Sequence, residues 1–454
     1  MISVRKVFKS FIILFFVLGF TLPAMAQDSL LQAGPMVGYT EMMETSIWVQ
    51  TKQPAKVAVN YWPKGKEKKF MLGGSKQTQK DHSNVAEFIL SNLKPGTQYE
   101  YKIFINGKEV ETPYPTEFKT QALWQWRTDP PAFTVALGSC LYINDKPYDR
   151  PGKPYGGDPS ILKTIAQKNP DVMLWMGDNI YYREPDFYST TRLDYRYRDG
   201  RRIPEMQPLL ASTVNLAIWD DHDYGPNNSD RSYRKKNESL KLFKRYWANP
   251  KYGTKDTPGV FFRYKYSDAE FFMVDDRYYR APDDLKDPDK PYLGQKQLQW
   301  LEDGLADSYA TFKFIVIGNQ ATNKMAGSEA YANYPHEYNE LMNFLKKQKI
   351  EGVVFLSGDR HFTELLKKDR KNLYPIYEFT SSPLTSGTFS TLDQTKEFHN
   401  PQRVDGTLVY KKRSFGLLKI SGKKGNRTLV MQAFDKDGNK LWDYKINEDE
   451  LKVD

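Results

Sequence analysis

One cysteine and five histidines are what this 454-residue sequence has least of, and both shortages exclude chemistry. A lone Cys140 cannot close an intramolecular disulfide, so no covalent cross-link holds the fold. Five histidines, with His82 and His399 lying in segments away from the strong motifs, cannot furnish an imidazole-rich metal centre. Long apolar runs are also lacking. Only FIILFFVLGF, near the amino terminus, is strongly apolar, and it is too short to span a bilayer comfortably. Preceded by Arg5, Lys6 and Lys9 and followed by Ala24-Met25-Ala26, it has the three zones of a secretory signal peptide over residues 1–26. No cysteine stands just after that cleavage site, which argues against a lipid anchor. The expectation is an exported chain, periplasmic or secreted, with no integral membrane span after cleavage.

A strong charge of one sign is missing as well. The net charge of +10 falls to +7 once the 26 leader residues are removed, and basic residues mix with acidic ones in KGKEKK and RKKNESLKLFKR. That is a solvated surface, able at most to attract anionic substrates. No nucleic-acid motif is present, and a monomer is expected.

What is there falls into two parts. Residues 30–126 read as an all-β module: SIWVQT, KVAVNYW, AEFILSNL and YEYKIFING are short runs of β-branched and aromatic residues between polar turns. In NLKPGTQYEYKI, Tyr99 stands like the tyrosine corner of fibronectin III and immunoglobulin-like sandwiches. The segment QALWQWRTDPPAF marks a boundary, and residues 131–454 change to an α/β pattern. FTVALGSC is a strand ending at Cys140, PSILKTIAQKNP a helix, DVMLWMGD a strand ending at Asp178 and NLAIWDD one ending at Asp220-Asp221. FFMVDDR, TFKFIVIGNQ and EGVVFLSGDRH end at Arg277, Asn319 and His361 in the same way. Ligands of open α/β sheets bind outside the carboxyl ends of strands, so six polar tips point to one assembled site. FGLLKISG, RTLVMQAFD and LWDYKI are expected to complete a second sheet.

The stretch IWDDHDYGPNN crowds three aspartates and His222 into positions 220–223. Like charges at that density call for a cation, whose charge inverts the local pKa logic. Cys140 has an oxidation liability outside the cytosol, which either burial or a metal on its sulfur explains. Tyr181 and Arg277 keep bland alternatives too: a core aromatic, and an ion pair with Asp275 or Asp276. His336, in NYPHEYNEL, reads better as a helix-start or lid residue than as a ligand.

GSC, GDNIYY, WDDHD, DDRYYR and SGDRHFTEL, in that order after a β-sandwich and followed by EFTSSPLTSG, resemble the alkaline phosphatase D (PhoD-like) metallophosphatases of the calcineurin-like metallophosphoesterase superfamily. The resemblance covers nearly the whole mature chain. It implies a four-layer αββα sandwich preceded by the fibronectin III/immunoglobulin-like domain, with a two-metal centre that hydrolyses phosphomonoesters, phosphodiesters or both. It further implies Cys140, Asp178, Tyr181 and His361 as ligands of one metal, Asp178 bridging, and Asp221 and Asp359 as ligands of the second. Thiolate and phenolate suit Fe3+, and the oxygen ligands suit Ca2+. His222 would contact the phosphate and protonate the leaving group, oriented by Asp220 or Asp223, and Arg277 would grip the phosphoryl oxygens. Asn228 (or Asn227) and Asn319 are weaker candidates for binding metal or phosphate.

Two departures from the family pattern stand out. Asp223 occupies a position where many members carry Glu, and the loop 141–157 is long and rich in Tyr, Gly and Pro, as a lid would be. Asp145, Asp149 and Asp158 in or beside that loop are further candidate calcium ligands. The competing functions are a phospholipase- or nuclease-type phosphodiesterase on the same fold, and a non-catalytic calcium- or carbohydrate-binding surface protein. Lipid and nucleotide phosphate esters both remain open as substrates.

Overall fold

The computed structural model describes residues 30–325, 327 and 329–453; the signal peptide read at 1–26 lies outside them. Among the described residues, no helix is long and apolar enough to cross a membrane. The amino-terminal part consists of β1 (Leu31–Thr40), β2 (Glu44–Thr51), β3 (Lys56–Pro63), β4 (Met71–Gln77), β5 (Val85–Ser91), β6 (Gln98–Ile105) and the short β7 (Lys108–Glu109) and β8 (Glu117–Lys119). β1-β2-β5 form one sheet; β4-β3-β6-β7 form another, with β8 added on β6. The strand period of two sorts the side chains: β6 buries Tyr99, Tyr101, Ile103 and Ile105 and leaves the residues between them half-buried. These meet Ile47, Val49, Phe88 and Leu90 of the first sheet in a core of their own. The Tyr99 hydroxyl accepts the Lys94 N–H at 2.9 Å, tying β6 to the turn before it.

The opposite face of the first sheet is not free. Ala33, Met36 and Trp48 belong to the main core of the following α/β part. The Trp48 indole donates to the Arg245 carbonyl (2.8 Å), the Tyr101 hydroxyl to the Ala211 carbonyl (2.9 Å) and the Asn215 amide to the Val37 carbonyl (3.1 Å).

The α/β part runs β9 (Phe133–Gly138), α1 (Ser160–Gln167), β10 (Val172–Met176), α2 (Thr190–Arg201), α3 (Gln207–Ser212) and β11 (Val214–Ile218). It continues with α4 (Asp221–Tyr224), α5 (Lys236–Tyr246), β12 (Phe262–Tyr266), β13 (Ala269–Met273), α6 (Gln295–Asp307), β14 (Phe312–Ile317), α7 (Pro335–Lys347) and β15 (Val353–Ser357). β16 (Glu364–Arg370), β17 (Leu373–Thr380), β18 (Ser414–Lys423), β19 (Asn426–Asp435) and β20 (Lys440–Asn447) complete the order. The parallel strands β10, β11, β13, β14 and β15 are buried along their whole length, as strands covered on both faces must be.

Two six-stranded sheets result, β11-β10-β9-β18-β19-β20 and β12-β13-β14-β15-β17-β16. The late strands therefore do not complete a second sheet, as expected from sequence. They extend the first: β18 pairs antiparallel with β9, Gly416 opposite Leu137, and β19 and β20 follow. The second sheet is built from the middle of the chain. Pairing across some 280 residues is set by sheet packing and leaves no local signal.

Candidate metal centre

Each polar tip lies just past its strand. β9 stops at Gly138 and Cys140 follows; β10 stops at Met176 and Asp178 follows; β11 stops at Ile218 before Asp220 and Asp221. The tips of both sheets meet. Arg277, beyond β13, donates through Nε to Asp220 at 2.5 Å, and the Asn319 amide, beyond β14, reaches the same carboxylate at 3.1 and 3.2 Å. Cys140 Sγ lies 3.7 Å from Asp178 Oδ2 and 3.6 Å from the Asp359 carbonyl beyond β15. Close approach requires glycine here: a Cβ on Gly177, whose φ is +91°, would stand 2.6 Å from Asp220 Cβ.

The crowded WDDHD stretch separates into structural and open carboxylates. Asp220 and Asp223 form the reciprocal capping box of α4. Asp223 also accepts the backbone N–H groups of Asp178 and Asn179 and the Asn179 amide, while burial pushes its carboxyl up to about 7. Asp221 takes the Asn228 N–H at 2.6 Å on Oδ2, but its buried Oδ1 has no partner.

Four candidate ligands hold the backbone in the left-handed region: Cys140 (φ 61°), Asp178 (54°), Asp359 (64°) and His361 (57°). For residues with a side chain this costs about 1 kcal/mol or more each, and such strain clusters at functional sites. Asp178 is fully buried; its Oδ1 accepts the His222 N–H at 3.2 Å. Burial, then Asp221 and Asp220, push its carboxyl well above the usual range. Burial and the carboxylates of Asp178 and Asp359 push the Cys140 thiol up, and burial and Asp178 do the same to the Tyr181 phenol. Burial and His222 push His361 down to about 4. Burial raises Asp221, but His222, Arg277 and the Asn228 N–H outweigh it and hold the carboxyl low. Burial lowers His222 against the pull of Asp221 and Asp359.

Two groups of donor atoms emerge: Cys140, Asp178 and His361, and Asp178, Asp221 and His222, the atoms within each group lying within 4.8 Å of one another. Asp178 is common to both. The Tyr181 hydroxyl, 3.4 Å from His361 Nε2, borders the first group. The Asp359 carboxylate borders the second: Asp221 and His222 act on its charge, and its buried Oδ2 lacks a hydrogen bond, with Arg360 3.5 Å away. Asn319 Oδ1 and Glu329 Oε1 are further buried oxygens without a hydrogen bond. A buried unsatisfied oxygen costs on the order of 1–3 kcal/mol, and cations at this end would satisfy several at once. These donors fit metal ions.

The remaining candidates take different places. Arg277 is fully buried and pairs with Asp220, not with Asp275 or Asp276; its Nη2 is left without a partner. Neither Asp220 nor Asp223, each engaged as above, is the carboxylate nearest the His222 imidazole; Asp221 is, at 4.0 Å. Asn227 and Asn228 are exposed and bonded to each other. His336 is the second residue of α7, a helix-start position. Two of the loop acids are neutralised already, Asp149 by Arg183 (2.9 Å) and Asp145 by Arg196 (3.1 Å), while exposed Asp158 accepts the Ser160 N–H at the start of α1 (2.9 Å).

Three residues escaped the sequence reading. Tyr155, from the 141–157 loop, places its hydroxyl 3.1 Å from His361 Nδ1. Ser382 donates to Cys140 Sγ (3.1 Å) and accepts the His361 N–H (3.0 Å). Glu329 stands 3.8 Å from Arg277. The Tyr- and Gly-rich loop and the SSP motif were the available signals for the first two; Glu329 had none.

Two solved structures share this architecture. A structure of PhoD aligns with a TM-score of 0.75 at 17% identity, covering 91% of this chain and 93% of that one. Purple acid phosphatase PPD1 from yellow lupin (Lupinus luteus) seeds aligns with a TM-score of 0.62 at 12% identity, covering 91% and 74%. The fold is thus the α/β fold of these phosphatases with an amino-terminal all-β region. The PhoD-like phosphatase model matches residues 152–429, and the chain belongs to that family. A domain of unknown function, DUF7800, matches residues 28–123. Alkaline phosphatase D of Bacillus subtilis (strain 168) is 24% identical over 380 residues, 72% of this chain. That alignment spans 61% of the curated relative's length.

Proposed function

We propose that the protein is an exported metal-dependent phosphoesterase that hydrolyses phosphomonoesters, phosphodiesters or both. In this reading residues 1–26 are its signal peptide, 30–126 a β-sandwich domain and 131–454 the catalytic domain of a monomer. The observation that carries it is Asp178, one buried carboxylate shared by two groups of metal donors. Cys140, Tyr181, His361 and Asp178 would hold ferric iron; Asp178, Asp221 and Asp359 would hold calcium. Bound there, the ions supply Lewis-acid polarisation of the phosphoryl oxygens and activation of water.

The chain's own groups do the rest. His222, a member of the second donor group, would contact the phosphate and give a proton to the leaving oxygen. Asp220 and the Ser229 carbonyl hold Arg277 through Nε and Nη1, which leaves its unpartnered Nη2 as the group that would grip a phosphoryl oxygen. The Asn319 amide braces Asp220 and keeps that clamp in register. Asn228 supports Asp221 through its backbone N–H.

The test is turnover of p-nitrophenyl phosphate and bis-p-nitrophenyl phosphate by the purified full chain. EDTA should abolish activity, and iron with calcium should restore it. Concentrated protein should absorb visible light through thiolate or phenolate bound to ferric iron, and Tyr181→Phe or Cys140→Ala should shift or bleach that band. No turnover of either ester with both ions supplied would overturn the reading. A colourless, iron-free, active enzyme would overturn the iron assignment alone.

A further inference from the structure

Beyond His222 the site opens into a cavity of about 320 Å3, within the range of small-molecule pockets and larger than a phosphate needs. Tyr142, Tyr148, Tyr155 and Phe187 stand around it, with Tyr181 and His222 at its inner end. Among the described residues no Ala, Val, Leu, Ile or Met lines it. The Tyr181 and His222 rings lie 4.2 Å apart, so one wall of the cavity is continuous with the metal-donor group that includes His222. Tyr142 meets Tyr155 edge-on at 4.8 Å.

Stacked guanidinium groups brace the walls, and one of them, Arg183, lines the cavity together with Asp149. The Arg183 guanidinium stacks 3.8 Å from the Tyr142 ring and is fixed by Asp149, and Arg192 stacks 4.0 Å from Tyr148 and is fixed by Asp186. Arg150, 90% exposed, and Lys153 stand at the rim. A fatty chain finds no aliphatic surface here. Rigid aromatic faces favour a planar π-system, since stacking is tolerant of ring identity and strong when the platform is preorganised.

We propose that this cavity receives the alcohol side of the substrate and selects phosphate esters whose alcohol carries a planar aromatic ring system of nucleoside size. The inference rests on the phosphoesterase reading above. The test compares kcat/KM for adenosine 5′-monophosphate and ribose 5-phosphate on the full chain with iron and calcium supplied. Both release the same kind of primary alkoxide, so the base is the variable. The nucleotide should be favoured by about fivefold or more, the lower end of what one aromatic stack gives.

Tyr148→Ala should bring that ratio toward one with the melting temperature kept, and Phe187→Leu provides a second, milder probe of the same wall. Adenosine, not ribose, should inhibit hydrolysis of p-nitrophenyl phosphate competitively. Equal kcat/KM for the two sugar phosphates, a preference that survives both variants, or turnover of p-nitrophenyl phosphate with neither sugar phosphate accepted would each overturn the assignment. No turnover of p-nitrophenyl phosphate would instead remove the parent reading, and this inference with it.

Discussion

Two groups of acids stand close together in this fold and are treated in opposite ways. Asp145, Asp149 and Asp186 meet Arg183, Arg192 and Arg196; Asp186 alone, fully buried, receives two guanidinium groups at 2.9 and 3.0 Å. Asp178 and Asp221 receive no guanidinium, and Asp359 has only Arg360, at the longer distance of 3.5 Å. The nearby Arg277 is committed to Asp220, and the nearby Arg360 to Glu397 at 2.7 Å. The fold supplies a fixed cation where an acid is structural and withholds it at the tips where an exchangeable one would bind. Burial of an unpaired charge is tolerated only where something else neutralises it.

The comparison can be broken with one substitution on each side. Asp178→Asn should lower kcat/KM on the order of 10³-fold or more, because it weakens both donor groups together. In EDTA the same variant should melt higher than wild type at pH 8 and alike near pH 4. The sign follows from the raised carboxyl: stability is lost as pH rises above the unfolded value, and the amide removes that loss. Asp186→Asn should do the reverse, costing about 1.5–3 kcal/mol of stability by taking the charged acceptor from Arg192 and one of the two from buried Arg196, which keeps Asp145. Calorimetry with and without EDTA reads both, and two variants moving the melting temperature in the same direction would erase the distinction.

A smaller effect tests the join between the two regions, since Tyr155 comes from the arginine-braced loop and touches a metal-donor histidine. Tyr155→Phe should weaken iron binding about 10- to 100-fold, the usual cost of removing a hydrogen bond to a ligating imidazole. Iron titration followed by visible absorbance measures it, and an unchanged affinity would reduce Tyr155 to packing.

The smallest effect concerns an acid with neither remedy. Burial and Glu44 push Glu41 up to about 7, and it meets the Gln121 amide at 3.3 Å rather than a guanidinium. Its folded pKa exceeds the unfolded one, so stability falls as pH rises from about 4.5 to 7 and is level above. Glu41→Gln should match wild type at pH 4 and gain up to about 2 kcal/mol at pH 8. Denaturant midpoints at the two pH values decide it.

Much of this was legible in the sequence. The buried strands β9, β10, β11, β13, β14 and β15 announced themselves as apolar runs, because parallel strands covered on both faces cannot alternate. Their polar tips named Cys140, Asp178, Asp221 and His361 before any geometry. What stayed hidden was pairing and partnership. Nothing local tells β18 to join β9, and nothing in WDDHD says that Asp220 and Asp223 cap a helix while Asp221 stays open. The Arg277 side chain was read toward phosphate from its motif; that Asp220 holds it by Nε is a fact of two sheets meeting. Tyr155 reaches His361 from a loop whose composition signalled mobility and not the residue that matters.

The seam between the amino-terminal strands and the rest has a practical corollary. Because Trp48 and Met36 finish the hydrophobic interior behind β11, and Val37 caps the Asn215 amide, trimming the gene to begin at residue 131 would bare an oily flank. Such a truncated product should clump rather than dissolve. The strand module acts as a built-in cover, and swapping it for an unrelated sandwich would demand rebuilding the surface it sits on.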